Sequence, residues 1–204
     1  MRVTPAFPIV ISGPAGAGKT TIVEEIAKKD PLLRVSVSAT TRDPRDNEVD
    51  GKAYDFVSTE EFEGLKKEGL IEWAEVHGHL YGSPRGFVDA RLADGCDVVL
   101  NIDVQGGASV KKAFPGAVLV FILPPSLEEL EARIRRRAAD DSAEIARRLK
   151  NAWDEIKMAA YYDYVVVNDR LDDAVADMLA IIRSERHRRN RYEEAFFRRF
   201  RPAD

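Results

Sequence analysis

The chain has 204 residues, a mass of 22.8 kDa and a formal net charge of −4, with 45% hydrophobic and 32% charged residues. This length and apolar content predict one compact domain and exclude a collagen-like, low-complexity or wholly disordered chain. The single cysteine, Cys96, excludes an internal disulfide and a multi-cysteine zinc site. The apolar runs are too short to span a membrane, and the amino terminus lacks the pattern of a signal peptide. We therefore expect a soluble, cytoplasmic protein.

Short β-branched runs alternate with helical patterns along the chain, which is typical of a parallel α/β sheet. Four runs are predicted to be strands, namely Phe7–Ser12, Cys96–Asp103, Ala117–Leu123 and Tyr164–Asp169. Between the first two, Thr20–Lys29 has its apolar residues at helical spacing. The sequence therefore predicts a single α/β domain, 1–204, whose core is formed by residues 1–35, 94–125 and 159–182.

Three sections lie outside this core. Residues 36–93 are polar, turn-rich and aromatic, and are predicted to form an insert over one end of the sheet, whereas residues 126–158 are helical and rich in arginine. The third section, 183–204, is predicted to be a basic terminal helix.

This terminal section carries eight Arg against three acidic residues between Arg183 and Arg201, while the rest of the chain has 23 basic against 32 acidic residues. A basic tail on an acidic body is compatible with contact to nucleic acid or a membrane surface. The other interpretation is a solvated helix whose aromatic residues dock on the body or on a second subunit of a homo-oligomer. These aromatic residues are Tyr192, Phe196, Phe197 and Phe200. Because the remaining domain is acidic, we favour docking and expect no nucleic-acid or membrane partner.

Residues 13–20, GPAGAGKT, fit the P-loop pattern G-x-x-x-x-G-K-[ST], with an apolar strand before them and an amphipathic helix after them. The glycines allow successive backbone N–H groups to point inward and form an anion site at a helix N-terminus. Lys19 would place its charge on the β- and γ-phosphates, and the Thr20 hydroxyl would ligate Mg²⁺. The alternative is a glycine-rich turn without a ligand. The predicted ATP-binding residues of this loop are Gly13, Pro14, Ala15, Gly16, Ala17, Gly18, Lys19, Thr20 and Thr21.

The insert contains a second candidate phosphate site. Arg42 and Arg45 lie three residues apart, and Tyr54 follows them. Two guanidinium groups and a phenol would suit a phosphate on an acceptor molecule, although such arginines are also common on solvated loops. Further polar residues follow at Glu72, Tyr81 and Ser83.

Taken together, these motifs resemble the guanylate kinase family. After the P-loop come S-x-T-T-R-x-P-R-x-x-E-x-x-G-x-x-Y-x-F-V, IEWA, YGS, IDVQG and VVND, in the order and spacing of that family. The resemblance extends from Phe7 to about Ile182. It implies an enzyme of guanine nucleotide metabolism that converts ATP and GMP to ADP and GDP, with Mg²⁺ as cofactor, and that is expected to accept dGMP as well. The implied fold is a three-layer P-loop kinase with a central parallel sheet, a mixed α/β GMP-binding insert and a helical lid.

The resemblance also assigns roles in the insert. The residues implied to hold the GMP phosphate are Arg42, Arg45, Tyr54 and Tyr81, and those implied to bind guanine are Ser38, Glu72 and Ser83. Guanine presents N1–H and N2–H side by side, which the Glu72 carboxylate can accept as a pair, whereas adenine has an acceptor at N1. A site built in this way rejects the wrong base by roughly 10⁴ to 10⁵. The plainer interpretation of Glu72 is an exposed carboxylate at a strand end.

In the lid, the resemblance selects Arg137 and Arg148 from a larger arginine cluster, and implies that both neutralise charge on the transferring γ-phosphoryl group. Arg135 and Arg136 are expected to be solvated. Asp141 and Glu144 resemble a capping box, which predicts two helices meeting at a loop. At position 138 this chain has alanine where the family commonly has glycine.

The strand end VVLNID departs from the family, because Asn101 stands where an acid is usual. Asn101 and Asp103 are expected to organise Mg²⁺ through water, and Asp103 is also implied to contact GMP. The implied catalytic set is Lys19, Arg45, Arg137, Arg148 and Asp103. We predict that activity survives, with a weaker dependence on Mg²⁺.

Two minor features complete the candidates. Asn168, followed by Asp169, either lies beside the adenine of ATP or forms an ordinary turn. His77 and His79 lack partner ligands and are not expected to bind a metal.

Two other functions are compatible with parts of the pattern. One is a P-loop kinase with a different acceptor, such as a phosphorylated sugar, and the other is a non-catalytic scaffold that binds phosphorylated peptides. Ser38, Glu72 and Ser83 argue against the first. The intact Lys19 and Thr20 and both lid arginines, Arg137 and Arg148, argue against the second.

Overall fold

The computed structural model describes residues 4–44, 48–52, 54–76, 78–137 and 142–200. Across these residues the strands are β1 (Pro8–Ser12), β2 (Leu33–Val35), β3 (Ala39–Thr40), β4 (Asp55–Phe56), β5 (Leu70–Val76), β6 (His79–Pro84), β7 (Asp97–Asn101), β8 (Val118–Leu123) and β9 (Tyr164–Val167). The helices in the same ranges are α1 (Lys19–Lys29), α2 (Thr59–Glu68), α3 (Arg85–Ala93), α4 (Val104–Ala113), α5 (Leu127–Arg137), α6 (Ser142–Lys157), α7 (Leu171–Arg186) and α8 (Glu194–Arg198). Short 3₁₀ turns follow α6 at Met158–Tyr161 and α7 at Arg189–Arg191.

Five of the described strands form a parallel sheet in the order β2-β7-β1-β8-β9. The central strand β1 is buried along its whole length, as its continuous apolar sequence predicts. Ile11 of β1 is in register with Asn101 of β7, so the carboxyl ends of these strands lie side by side. The P-loop after β1 and the polar residues after β7 therefore meet at one edge of the sheet, where ligands bind in open α/β folds.

Helices cover both faces of this sheet and give three layers. On one face, Ile9 and Ile11 pack with residues of α1 and α7, including Ile22 and Met178. On the other face, Val10 and Leu100 pack with Val88 of α3 and Val110 of α4. The predicted α/β fold with a central parallel sheet is confirmed. None of the helices described here is long and apolar enough to cross a membrane.

The second sheet lies within the predicted insert. In the described residues it has the order β4-β3-β6-β5, with β5 and β6 forming an antiparallel hairpin. Helix α2 begins with a capping box between Ser58 and Glu61, and its Phe62 side chain is fully buried. Although α3 falls inside the predicted range 36–93, its Val88 packs against the core sheet, so the insert's own sheet ends at Pro84.

The predicted lid consists of two helices. Leu130 and Ile134 of α5 pack against Ile145 and Ala152 of α6 in a small apolar cluster. Asp141 and the side chain of Glu144, which were expected to form a capping box here, lie outside the described residues.

The basic carboxyl-terminal segment differs from the predicted single helix. Helix α7 ends at Arg186, and the chain then turns so that the Arg191 guanidinium lies 3.7 Å from the ring centre of Phe7 and donates to Glu185. The aromatic residues of the segment pack mainly on one another, with Phe196 at ring distances of 5.0, 5.3 and 5.4 Å from Tyr192, Phe197 and Phe200. Their contact with a second subunit stays a prediction.

A buried ion-pair network connects this end of the chain to the sheet. The Asp97 carboxylate is fully buried, and it accepts hydrogen bonds from the Phe7 backbone N–H at 3.0 Å and from Arg186 Nε at 2.7 Å. Arg186 also donates to Asp30 at 2.6 Å. The network thus joins the start of β1, the end of α1, β7 and the end of α7.

We expect Arg186→Met to lower the free energy of unfolding by about 3 kcal/mol, because the change leaves the Asp97 carboxylate buried without its charge partner. Urea denaturation followed by circular dichroism measures the difference. The control is Arg183→Met, at an exposed position on the same helix, which should change the free energy of unfolding by less than about 0.5 kcal/mol. Equal stability of both variants would contradict the role given to the network.

Candidate active site

The P-loop connects β1 to α1 and is packed tightly against β8 and against Asn168, which follows β9. Gly16 and Gly18 have φ values of +91° and +90°, a region that favours glycine. A Cβ atom on Gly18 would overlap the Asn168 side-chain amide, and one on Gly13 would overlap the carbonyl oxygen of Ile122. The glycines are therefore required both by backbone conformation and by space.

Two polar side chains hold the shape of this loop. Lys19 Nζ donates to the carbonyl oxygens of Gly13, at 2.5 Å, and Pro14, at 3.1 Å, so the ammonium group lies within the loop. Asn168 is buried after β9, and its Nδ2 donates to the Ala17 carbonyl at 2.8 Å. Asn168 thus contacts the loop backbone. Its predicted contact with adenine stays a prediction.

The end of β7 places further oxygen atoms beside the loop. Asn101 Nδ2 lies 3.4 Å from the Thr20 hydroxyl oxygen and donates to it. Asp103 caps α4, with its Oδ1 accepting from the Gly106 N–H at 2.7 Å, and its carbonyl oxygen accepts from Ser12. The Thr20 hydroxyl and the Asn101 amide therefore lie together at the N-terminus of α1, and the Asp103 carboxylate lines the same cavity from the N-terminus of α4.

The insert contributes a carboxylate bound to serine. Glu72 Oε1 accepts a hydrogen bond from the buried Ser83 hydroxyl at 2.6 Å, and the Ser38 hydroxyl lies 3.4 Å from that of Ser83. Burial raises the pKa of the Glu72 carboxyl, the hydrogen bond from Ser83 opposes this rise, and the negative charge of Asp103 adds to it. Ser38, Glu72 and Ser83 form one polar group, as expected, and Glu72 is half-buried rather than an exposed strand-end carboxylate.

The predicted phosphate residues of the insert also lie together where they are described. Arg42 Nε donates to the Tyr81 hydroxyl at 3.2 Å, and the rings of Tyr54 and Tyr81 are 5.7 Å apart. Arg42 is also paired with both carboxylate oxygens of Glu48, at 2.8 and 2.9 Å. Glu48 had no assigned role, although it is part of the motif that includes both arginines. Arg45 lies outside the described residues.

One cavity of about 450 Å³ joins the P-loop to the insert. The side chains and backbone that line it are Gly13, Ala15, Lys19, Thr20, Ser38, Tyr54, Glu72, Ala74, Tyr81, Asn101, Ile102, Asp103 and Glu155. The cavity therefore brings together the predicted triphosphate, metal and base-binding residues.

The lid contributes to this cavity through a residue that the sequence analysis missed. Glu155 of α6 lines the cavity, and it lies seven residues after Arg148, so the two occupy the same face of the helix. In the sequence, this spacing from a predicted lid arginine is the feature that could have indicated Glu155. Arg148 is half-buried and is not part of the cavity lining, and the Arg137 side chain lies outside the described residues. Arg135 and Arg136 pair with glutamates of their own helix on the lid surface, as expected of solvated side chains.

The residues beside Thr20 suit a magnesium ion. In the described parts of the chain no group of three or more His, Cys, Asp or Glu side chains is close enough to hold a metal alone. Mg²⁺ prefers oxygen ligands and commonly takes only one or two from protein, with phosphates and water supplying the rest. The Thr20 hydroxyl, Asn101 amide and Asp103 carboxylate fit that requirement. His79 is among these described residues, whereas His77 lies outside them.

The structure combines a P-loop at the carboxyl edge of a parallel sheet with a second sheet across one cavity and a pair of helices, α5 and α6. Together these features define a P-loop kinase. Comparison with known proteins specifies the family. The family model for guanylate kinase matches residues 6–185. A guanylate kinase of Caldanaerobacter subterraneus subsp. tengcongensis is 48% identical over 93% of this chain and 93% of its own length. One from Thermus thermophilus is 49% identical over 91% of this chain and 84% of its own length.

The fold agrees with a solved structure of the same family. The crystal structure of guanylate kinase from Anaplasma phagocytophilum superposes with a TM-score of 0.82 at 33% identity, and each chain is covered in full. This chain therefore belongs to the guanylate kinase family. The resemblance found in the sequence and the expected kinase class are confirmed.

We expect Gly18→Ala to weaken ATP binding by at least about tenfold, because the new methyl group must displace Asn168 and the positive φ is strained for alanine. Isothermal titration calorimetry measures the affinity. Gly86→Ala is the matched control, since a Cβ atom there meets nothing within 4 Å. ATP affinity that is the same in Gly18→Ala as in the parent chain would contradict the proposed packing of the loop.

Proposed function

We propose that this protein transfers the γ-phosphoryl group of ATP to GMP, giving ADP and GDP, with Mg²⁺ as cofactor and with closure of the lid. The observation that carries the proposal is the single cavity in which Lys19 of the P-loop faces Glu72 and Tyr81 of the insert. A donor triphosphate and an acceptor monophosphate bound at its two ends would have their phosphates adjacent. Cytoplasmic localisation is part of the same proposal.

The donor end binds a triphosphate through backbone and charge. The loop's N–H groups and the N-terminus of α1 supply fixed dipoles for the β-phosphate. The Lys19 ammonium already lies within the loop through its bonds to Gly13 and Pro14. In the complex it exchanges those carbonyl partners for β- and γ-phosphate oxygens. The Thr20 hydroxyl and the oxygens of Asn101 and Asp103 would hold Mg²⁺ and its water shell, and Mg²⁺ when bound supplies positive charge that neutralises the triphosphate.

The acceptor end selects guanine by hydrogen bonding. Ser83 occupies Glu72 Oε1 with one hydrogen bond, which orients the carboxylate and leaves acceptor capacity for the N1–H and N2–H of guanine. The Ser38 and Ser83 hydroxyls can serve the remaining polar edge of the base. None of these assignments involves the ribose 2′-hydroxyl, so dGMP is proposed to be accepted as well.

The GMP phosphate is proposed to bind at Arg42, Arg45, Tyr54 and Tyr81. Glu48 holds the Arg42 guanidinium by two hydrogen bonds, and Arg42 in turn donates to the Tyr81 hydroxyl that lines the cavity. This chain of contacts orients the phenol toward the phosphate before substrate binds. Fixed donors of this kind lower the cost of ordering the site in the complex.

The transfer itself needs position and charge rather than a strong base. A GMP phosphate oxygen attacks the γ-phosphorus in line, and the bond from that phosphorus to the β–γ bridging oxygen breaks. Arg137 and Arg148 are proposed to approach when the lid closes, to neutralise the transferring group and to exclude water. Lys19, Arg45 and Asp103 complete the proposed catalytic set, with Asp103 also contacting GMP.

The two other functions have weaker support in the geometry. A sugar-phosphate kinase would have no use for the connected Ser38, Ser83 and Glu72 group. A non-catalytic scaffold would not require Lys19 inside an intact loop or Thr20 beside Asn101.

ADP formation from Mg-ATP with GMP, dGMP, AMP, CMP or UMP as acceptor tests the proposal. We expect turnover with GMP and dGMP, and Glu72→Gln should lower kcat/KM for GMP by about 10² or more, since the amide presents a donor to the base. Glu75→Gln is the matched control, because Glu75 is exposed on the opposite face of the same strand. Folded protein that gives equal turnover with AMP, or none with any acceptor, would overturn the proposal.

The raised pKa of Glu72 predicts a pH dependence of GMP binding. The carboxylate form accepts the guanine donors, so affinity is present above the raised pKa and is lost as pH falls through it. As pH is lowered, KM for GMP should therefore begin to rise while the pH is still above the ordinary titration range of glutamate, whereas KM for ATP should change less. Steady-state kinetics with each substrate varied in turn measure both. A KM for GMP that stays flat until the whole chain unfolds in acid would exclude this role.

A further inference from the structure

Glu155 is an acidic side chain that the lid brings to the phosphate end of the cavity. It lies on α6 and lines the cavity together with Lys19, Thr20, Asn101 and Asp103. Its neighbours on the helix point away, because Trp153 is 49% exposed and Asp154 is exposed and paired with Lys157. Among the described side chains of α6, Glu155 is the one that lines the cavity.

The Glu155 carboxyl lies near charged groups of both signs. Burial raises the pKa of the Glu155 carboxyl, the positive charge of Lys19 opposes this rise, and the negative charge of Asp103 adds to it. The carboxylate thus lies within Coulomb range both of the lysine that faces the triphosphate and of the aspartate at the end of β7.

The acidic side chains that line the cavity lie at different ends of it. Within the described residues, three acidic side chains line it, and Glu72 is bonded to Ser83 at the base-binding end. Asn101 faces Thr20 with an amide, which offers an oxygen ligand but no charge. The negative charge near the P-loop therefore comes from Asp103 on the core and Glu155 on the lid.

We propose that Glu155 supplies the second negative charge of the divalent-cation site, so that the lid completes a site that Asp103 and Asn101 begin. The inference rests on the proposed function. Glu155 acts through the cation's water shell, because the described acids do not form a compact cluster of protein ligands. A carboxylate beside a bare polyphosphate is repelled, whereas one beside a polyphosphate with its cation is attracted. Glu155 therefore makes nucleotide binding and lid closure depend on the cation.

The measurable quantity is the ratio of the ADP dissociation constant without Mg²⁺ to that with Mg²⁺, obtained by isothermal titration calorimetry. We expect Glu155→Gln to reduce this ratio by about tenfold, partly through tighter binding of ADP without the cation. Asp154→Asn removes the same charge from the adjacent, outward position and should leave the ratio unchanged. Adding Asn101→Asp to Glu155→Gln should restore it, since a carboxylate then returns beside Thr20. Circular dichroism verifies that each variant is folded.

An unchanged ratio in Glu155→Gln would overturn the inference, as would an equal fall in Asp154→Asn or a failure of Asn101→Asp to restore the coupling. These results differ from a failure of the proposed function. If the proposed function itself were wrong, the parent chain would not bind ADP, or would bind it no more tightly with Mg²⁺ than without.

Discussion

Two polyanions have to be brought into contact, and this electrostatic constraint organises the fold around the carboxyl edge of β1. The phosphates of donor and acceptor repel each other, so their approach requires concentrated positive charge and fixed dipoles. The P-loop supplies positive charge through Lys19, whose ammonium group is held by the carbonyl oxygens of Gly13 and Pro14. The loop keeps its shape because β8 and Asn168 leave no room for side chains at its glycines.

The same constraint explains why Glu72 and Asp103, two of the three acidic side chains that line the cavity among the described residues, are each held by a hydrogen-bond donor. A carboxylate near phosphates is unfavourable unless it binds a donor or a cation. Glu72 is oriented by the hydrogen bond from Ser83, and Asp103 caps α4 through the Gly106 N–H. Glu155 is placed so that its charge becomes favourable in the presence of a divalent cation. The neutral amide of Asn101 then fits a site that receives its second charge from the lid.

Much of this arrangement is predictable from the sequence because it is local. The P-loop pattern requires a strand before it and a helix after it, and β1 and α1 supply them. The grouping of Ser38, Glu72 and Ser83 follows from the family resemblance, and the antiparallel hairpin of β5 and β6 brings the last two together, with Glu72 opposite Ser83.

The missed features depend on contacts between distant parts of the chain. Val88 of α3, for example, packs on the core sheet rather than on the insert. The Arg42–Glu48 pair is the exception, since its residues are only six apart in the sequence. The carboxyl-terminal segment turns because Arg191 reaches Phe7 and Glu185, which no helical periodicity encodes. The spacing from Arg148 places Glu155 on one face of α6, but its position beside Lys19 and Asp103 depends on how that helix packs over the distant P-loop and β7.

The central claim is that one cavity holds donor and acceptor together with their phosphates adjacent. The most direct measurement uses an analogue in which adenosine and guanosine are joined through five phosphates, tested as an inhibitor against ATP and against GMP. The account predicts competition with both substrates, and binding at least about 100-fold tighter than either nucleotide alone because two binding events become one. Competition with ATP only, with GMP still binding to the inhibited protein, would contradict it.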